Sequence, residues 1–199
     1  MSFYTTIEKE GIAEFKDRGS KFLAYVFPFP EKTALKEHLS VLKKEHPKAA
    51  HFCFAYRIGT DGNNFRAADN GEPAGSAGKP ILGQIDSKGL TDVLVIVVRY
   101  FGGTLLGVPG LINAYKSVTS LVLQLIPSVQ KPILILIDIQ FDYTQMNEII
   151  LMLKQTGSTV ISLENQLFPA IRAGIPTDRK EEVIFKLKNL RNVEISTIL

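Results

Sequence analysis

Apolar and polar positions change period along the chain in a readable order. Residues 7–26 read as two strands, with Asp17-Arg18-Gly19-Ser20 as the turn between them. Pro30-Glu31-Lys32 opens a helix in which Ala34, Leu35, Leu39 and Leu42 fall on one face, and Pro47 ends it. Lys43, Lys44 and Lys48 suit the C-terminal end of that helix, where the backbone dipole favours cations. His51 to Ile58 predicts a strand of aromatic and small residues, and Phe65-Arg66-Ala67 starts the return strand of a hairpin. Ile81 to Ile85 reads as one or two helical turns. Val93 to Val98 is six consecutive aliphatic residues, a pattern for a strand at the centre of a sheet or covered on both faces. Arg99 is expected where that strand leaves the core. A helix from about 109 to 126 follows, with Leu111, Tyr115, Val118, Val122 and Leu125 as its buried stripe.

Ser128-Val-Gln-Lys-Pro132 is short, polar and bounded by proline, and predicts a boundary between a domain of residues 1–130 and one of 131–199. The second part alternates cleanly: strand 133–141, helix 143–155, strands 158–163 and 166–173 in a hairpin about Glu164-Asn165, helix 177–189, strand 193–198. That order, βαββαβ, is the ferredoxin-like split βαβ pattern. The fold class is mixed α/β (α+β).

Composition narrows the picture only slightly. Hydrophobic residues make up 45% and charged residues 22%, as in ordinary globular chains, and no apolar run reaches the length of a membrane span. The first residues carry no basic-then-apolar pattern of a secretory signal, and the lone Cys53 has no partner for a disulfide. A cytoplasmic setting is expected, with Cys53 as a small buried hydrophobe. The net charge of +3 is too small to mark a nucleic-acid footprint, and residues 131–199 carry eight basic and eight acidic side chains.

Candidate chemistry concentrates in two glycine-rich loops flanking the apolar strand. The first runs Asp69-Asn-Gly-Glu-Pro-Ala-Gly-Ser-Ala-Gly-Lys79, the second Arg99-Tyr-Phe-Gly-Gly-Thr-Leu-Leu-Gly107. Glycines there suit tight turns, close packing or the approach of backbone N–H groups to a ligand. Gly75-Ser-Ala-Gly78-Lys79 is not a phosphate loop, because Pro73 stands at its first glycine and Pro80 at its metal-binding hydroxyl. Nor is Ser76 a nucleophile elbow: no buried strand precedes it, and all three histidines lie earlier in the chain. No histidines or cysteines have zinc-ligand spacing, and no dinucleotide motif follows a strand. The sequence thus offers no cofactor site, metal site or catalytic residue. Asp69 and Glu72 are expected to cap the loop or pair with Arg66 or Lys79. His51 alone among the histidines is kept as a site candidate.

Three stretches carry a family resemblance: Asp69 to Leu82, Val97 to Gly107, and Gly110-Leu-Ile-Asn-Ala-Tyr115. With His51 to Gly59 they resemble the signature of the IMPACT family, over about residues 15–125. The resemblance implies an N-terminal domain similar to the second domain of ribosomal protein S5. For bacterial members it also implies a small C-terminal domain similar to one in elongation factor G. It further implies a link to translation control, where eukaryotic relatives bind a regulator of a starvation-responsive kinase. Asn70, Phe52 and Val108-Pro109 depart from the family's usual residues.

Three functions fit. An RNA- or ribosome-associated protein would contact phosphates through Arg57, Arg66, Lys79, Arg99 and Lys116, and stack bases on Tyr56, Phe65, Tyr100 or Phe101. A protein-interaction module would use the apolar second loop. An enzyme or receptor for a phosphorylated small molecule would hold an anion with loop N–H groups, Lys79 and Arg99, with Glu72 or Asp69 as the only plausible base. All three place binding on Arg57, Arg66, Asp69, Glu72, Ser76, Lys79, Arg99, Tyr100, Gly102, Gly103, Thr104 and Lys116.

Overall fold

Strand β6 (Val93–Tyr100) lies at the middle of a five-stranded antiparallel sheet of order β2-β3-β6-β4-β5. Its neighbours are β3 (Ser20–Pro28) and β4 (His51–Ile58), with β2 (Gly11–Asp17) and β5 (Asn64–Ala68) at the edges. The structure is a computed structural model that describes residues 3–164 and 169–197. All six aliphatic residues of β6 are fully buried, each stabilising the fold by about 1.5–3 kcal/mol relative to exposure. Burial on both sides is possible because helices cover both faces. Val93, Val95 and Val97 pack with α2 (Gly78–Ser87) and α3 (Gly107–Leu125). Leu94, Ile96 and Val98 pack with α1 (Leu35–Glu45).

Several elements differ from the sequence expectation. A first strand β1 (Phe3–Ile7) pairs with β7 (Ser128–Pro132), the polar segment at which the sequence predicts the domain boundary. Backbone pairing makes β7 a strand, and its half-exposed side chains hide that from hydropathy. Helix α2 spans ten residues, twice the expected length. On α3, Leu125 is 65% exposed, whereas Ala114, Thr119 and Leu123 join the buried stripe. The helix ends at Leu125, and the extended Ile126 packs on the core beside Gly11 instead.

The chain divides into two compact units, one of residues 4–131 and one holding residues 132–199. In the second, β8 (Leu134–Gln140), α4 (Met146–Gln155), β9 (Thr159–Glu164), β10 (Ala170–Pro176), α5 (Lys180–Lys188) and β11 (Glu194–Thr197) follow one another. Short 3-10 turns lead into α4 and α5. The antiparallel sheet order β11-β8-β10-β9 is the ferredoxin-like arrangement. Ile137, Ile139, Ile171 and Ile175 face Ile149, Leu153, Val183 and Leu187 of the helices. The hairpin turn expected about Glu164-Asn165 lies outside the described residues from 165 on.

Candidate functional site

The two glycine-rich loops leave the sheet at neighbouring strand ends, because β4, which feeds the β4–β5 hairpin, and β6 are paired from His51↔Arg99 onward. The first loop is built around Asp69. Its Oδ2 accepts the N–H of Gly75 at 2.8 Å, and its Oδ1 accepts those of Ala77 at 3.0 Å and Gly78 at 2.8 Å. One carboxylate thus closes the loop and meets the positive end of α2. Burial opposes its charge, but the three N–H bonds and nearby Lys79 outweigh that and hold Asp69 below the ordinary carboxylate range. Asn70 turns the chain in the left-handed region at φ 41°, which asparagine tolerates, and its amide donates to the Phe52 carbonyl at 2.6 Å.

Glu72 and Arg99 meet below the surface. The Arg99 Nη1–H donates to Glu72 Oε1 at 2.6 Å, and both side chains are more than nine-tenths buried. The Tyr115 hydroxyl donates to the same oxygen at 2.8 Å. A buried pair persists only when further hydrogen bonds support it; here Tyr115 supplies one, and Ser20 Oγ accepts from Arg99 Nη2 at 3.4 Å. The guanidinium also lies over the rings of Phe22 and Phe101, 5.5 and 5.7 Å from their centroids. His51 completes the cluster: its Nδ1–H donates to the Asn70 carbonyl at 3.2 Å, and Nε2 stands 3.9 Å from Glu72 Oε1. Cys53 lies beneath, its sulfur 2.8 Å from the Asp69 carbonyl oxygen and 3.3 Å from the Tyr115 hydroxyl. Burial pushes its thiol up to about 12, so it stays protonated and inert at neutral pH. Burial likewise raises the Tyr115 phenol far above its ordinary value.

Above this floor opens a pocket of about 490 Å³, walled by Pro73, Phe101, Leu105, Val108 and Leu111. Its rim is apolar and open: Leu105 is 81% exposed and Phe101 52%. The arrangement offers an apolar seat over a charge-balanced polar floor. Among the described residues, no group of three His, Cys, Asp or Glu side chains is placed to hold a metal ion.

The residues singled out in the sequence fall into separate groups. Glu72 and Arg99 meet in the pocket floor, with Asp69 behind it. Arg99 is 5% exposed and paired, not presented to solvent. Tyr100 and Arg66 face the opposite side of the sheet, as strand alternation requires. The Tyr100 hydroxyl is 2.8 Å from His46 Nδ1, and the Arg66 guanidinium stacks on Phe54. Arg57 pairs with Asp86 at 2.7 Å and donates to the Gly62 carbonyl at 2.8 Å. Ser76 is buried and donates to the Pro73 carbonyl at 2.7 Å. Gly102, Gly103 and Thr104 lie on the exposed second loop, and Lys79 and Lys116 are exposed. Neither carboxylate of the first loop binds Arg66 or Lys79 through a salt bridge: Asp69 takes backbone N–H groups and Glu72 takes Arg99.

Sequence reasoning missed the site roles of Tyr115, Ser20 and the rim residue Val108, whereas Leu105 belongs to the apolar second loop that it offered as a contact surface. Tyr115 was legible as part of a buried helical stripe, but its hydroxyl partner lies 43 residues away. A second concavity of about 370 Å³ lies on the open face of the C-terminal sheet, lined by Asp138, Glu164, Glu194 and Arg172 among others. Arg172 is tied to both oxygens of Asp138, at 2.8 and 2.9 Å, which leaves that face net acidic.

The lowered Asp69 pKa has a measurable consequence. Because the folded value lies below the unfolded one, the carboxylate's stabilisation is present above the ordinary range and is lost as pH falls through the folded value. An Asp69→Asn variant is expected to lose about 1–3 kcal/mol at pH near 7, as charge-assisted bonds weaken. That deficit shrinks under acid conditions, measured by urea unfolding across pH.

Fold and site together define a two-domain α+β protein whose N-terminal domain carries a loop-built pocket. The model of the Impact N-terminal domain matches residues 18–123, and the chain belongs to the IMPACT family. It is 33% identical over 170 residues to IMPACT family member YigZ of Escherichia coli (strain K12), covering 84% of this chain and 83% of the relative. It is 34% identical over 146 residues to IMPACT family member YvyE of Bacillus subtilis (strain 168), covering 73% and 67%. The whole chain superposes on a crystal structure of a hypothetical protein with a TM-score of 0.78, at 28% identity and with 98% of that chain covered. Among the described residues, no helix is long and apolar enough to cross a membrane.

Proposed function

We propose that the protein is a translation-associated binding protein that seats a protein partner on the surface between its two glycine-rich loops. The observation that carries this reading is the pocket itself. Its exposed rim of Phe101, Leu105 and Val108 stands over a floor where Glu72 already neutralises Arg99. Exposed aliphatic side chains clustered at a concave site mark a contact for apolar groups. The setting in translation follows the family resemblance.

A second reading, contact with RNA or the ribosome through phosphates, draws support from exposed Lys79, Lys116 and Arg66 and from the exposed rings of Phe65 and Phe101. Two observations weigh against it. Arg57 and Arg99 are held by Asp86 and Glu72, and the open face of the C-terminal sheet is acidic.

Co-sedimentation with purified ribosomes at about 50 and about 200 mM salt separates the two, since phosphate contacts weaken steeply over that range. The proposal expects association that persists at the higher salt and is lost in a Leu105→Asp variant. Association that collapses with salt and ignores Leu105→Asp supports the RNA reading instead.

A further inference from the structure

We infer that the open face of the C-terminal sheet docks an extended, basic segment of a protein partner, whose cations at positions i and i+4 reach two glutamates about 14 Å apart. The contact lies wholly within the second unit and draws on no residue of the glycine-rich loops. Helices α4 and α5 pack on one face of the sheet, against Ile137 and Ile139 of β8. Both helices of the unit are used there, so the second face is left open. Alternation sends Leu134, Leu136, Asp138 and Gln140 to that second face, where each is half-buried or exposed.

Strand register fixes how charge is laid out on the open face. Glu194 pairs with Gln140, Gln140 with Ala170 and Ala170 with Glu164, so these four form one row across the sheet. The adjacent row on the same face is Ser196, Asp138, Arg172 and Ser162. Both rows line the concavity of about 370 Å³. Ala170, with only a methyl group, keeps the middle of the first row low, and a glutamate stands at each end. Three strand spacings, each about 4.8 Å, set the two glutamates about 14 Å apart. Both are exposed, and neither forms a salt bridge among the described residues. Arg172 is the one cation in the two rows, and both oxygens of Asp138 hold it. The face thus carries two unanswered negative charges at a fixed separation, not a cluster around one point.

A complementary occupant presents two cations on one side at the same separation. An extended chain rises about 3.3 Å per residue and points alternate side chains to the same face. Residues i and i+4 then stand about 13 Å apart on one side, so lysine or arginine at both reaches Glu164 and Glu194 together. Residue i+2 passes over Ala170 and Gln140, where the row is low. A chain of phosphates is repelled by the same charges, so nucleic acid does not fit. Leu134 and Leu136 continue the face beyond the polar rows, an area that a polypeptide covers and a free polyamine does not.

The test uses the full chain and two blocked peptides of one composition. Acetyl-Gly-Lys-Gly-Ser-Gly-Lys-Gly-amide carries its lysines at i and i+4. Acetyl-Gly-Gly-Lys-Lys-Gly-Ser-Gly-amide carries them side by side, so in an extended chain they face opposite ways. NMR titration at about 20 mM salt, where exposed charges are little screened, is read at the amides of Ala170, Arg172 and Glu194. The spaced peptide is expected to bind at least roughly threefold more tightly than its isomer, the effect of one further exposed ion pair. Glu194→Gln, at an exposed position, is expected to erase that difference without unfolding the protein. Raising salt to about 500 mM is expected to weaken both peptides. Equal affinities of the two peptides overturn the proposal, as do shifts confined to other residues or no binding by either. A difference that survives Glu194→Gln overturns it too. Spermidine binding at these amides where neither peptide binds overturns it in favour of a small polyamine.

Discussion

Replacing Glu72 with alanine is expected to destabilise the N-terminal unit by about 3–5 kcal/mol, because removing one partner of a buried ion pair strands the other. Arg99 would keep its charge, at 5% exposure, with Ser20 and two aromatic rings left to answer it among the described residues. The Tyr115 hydroxyl would lose its acceptor at the same time. Against a total stability on the order of 5–15 kcal/mol, such a loss is large. Urea unfolding of Glu72→Ala beside Glu14→Ala makes the comparison. Glu14 forms exposed pairs with Lys16 and Lys21, at 3.0 and 2.8 Å, and its loss is expected to leave the midpoint nearly unchanged. Similar midpoints for the two variants would show that the Glu72–Arg99 pair is not the anchor of the floor. Glu72→Gln, which keeps an acceptor but no charge, is expected to fall between.

Gly102→Ala is expected to act through shape alone, and about as strongly. A methyl group there would lie 1.9 Å from the Gly19 carbonyl carbon, 2.2 Å from its oxygen and 2.2 Å from the Ser20 nitrogen. All three atoms belong to backbone, in the turn that joins β2 to β3, so no side chain can swing aside. The second loop must lift away from that turn and give up the Gly102 N–H bond to Ser20 Oγ, 3.2 Å long. A loss above about 3 kcal/mol is expected, in the range of severe packing conflicts. Gly103→Ala is the contrast. Open space surrounds it, but its φ of +85° is unfavourable to a side chain, and a cost of roughly 1–2 kcal/mol is expected. Thermal unfolding of both ranks them; a Gly103 effect as large as that of Gly102 would refute the close-packing explanation.

The contrast also shows what a sequence can and cannot reveal. Val93 to Val98 announced the central strand, because only a strand covered on both faces tolerates six aliphatic residues in succession. The C-terminal βαββαβ order was equally plain, since its periods alternate between two and 3.6. Local pattern could not reveal β7, whose side chains are half exposed and whose strand character comes from pairing with β1. The loops themselves were legible as the region of interest, yet the roles of their charges were not. Arg99 read as a surface cation at a strand end, but its side of the strand faces α2 and α3, and Glu72 waits there from a loop 27 residues earlier. Arg99 and Tyr100 were expected on one binding surface, but adjacent strand residues point to opposite faces, so the two do not share it. Tyr115 shows the remaining gap. Its place on a buried stripe was visible, but the partner that its hydroxyl requires is a tertiary fact.

In the proposed reading a protein partner seats against the second loop. A photo-crosslinking residue, p-benzoylphenylalanine, placed at position 105 in cells tests it most directly, because Leu105 stands exposed on the pocket rim. The same residue at position 161, exposed on the C-terminal sheet, serves as control. A discrete protein adduct is expected from position 105, absent from 161 and resistant to ribonuclease. An adduct destroyed by ribonuclease, or the same adducts from both positions, would contradict it.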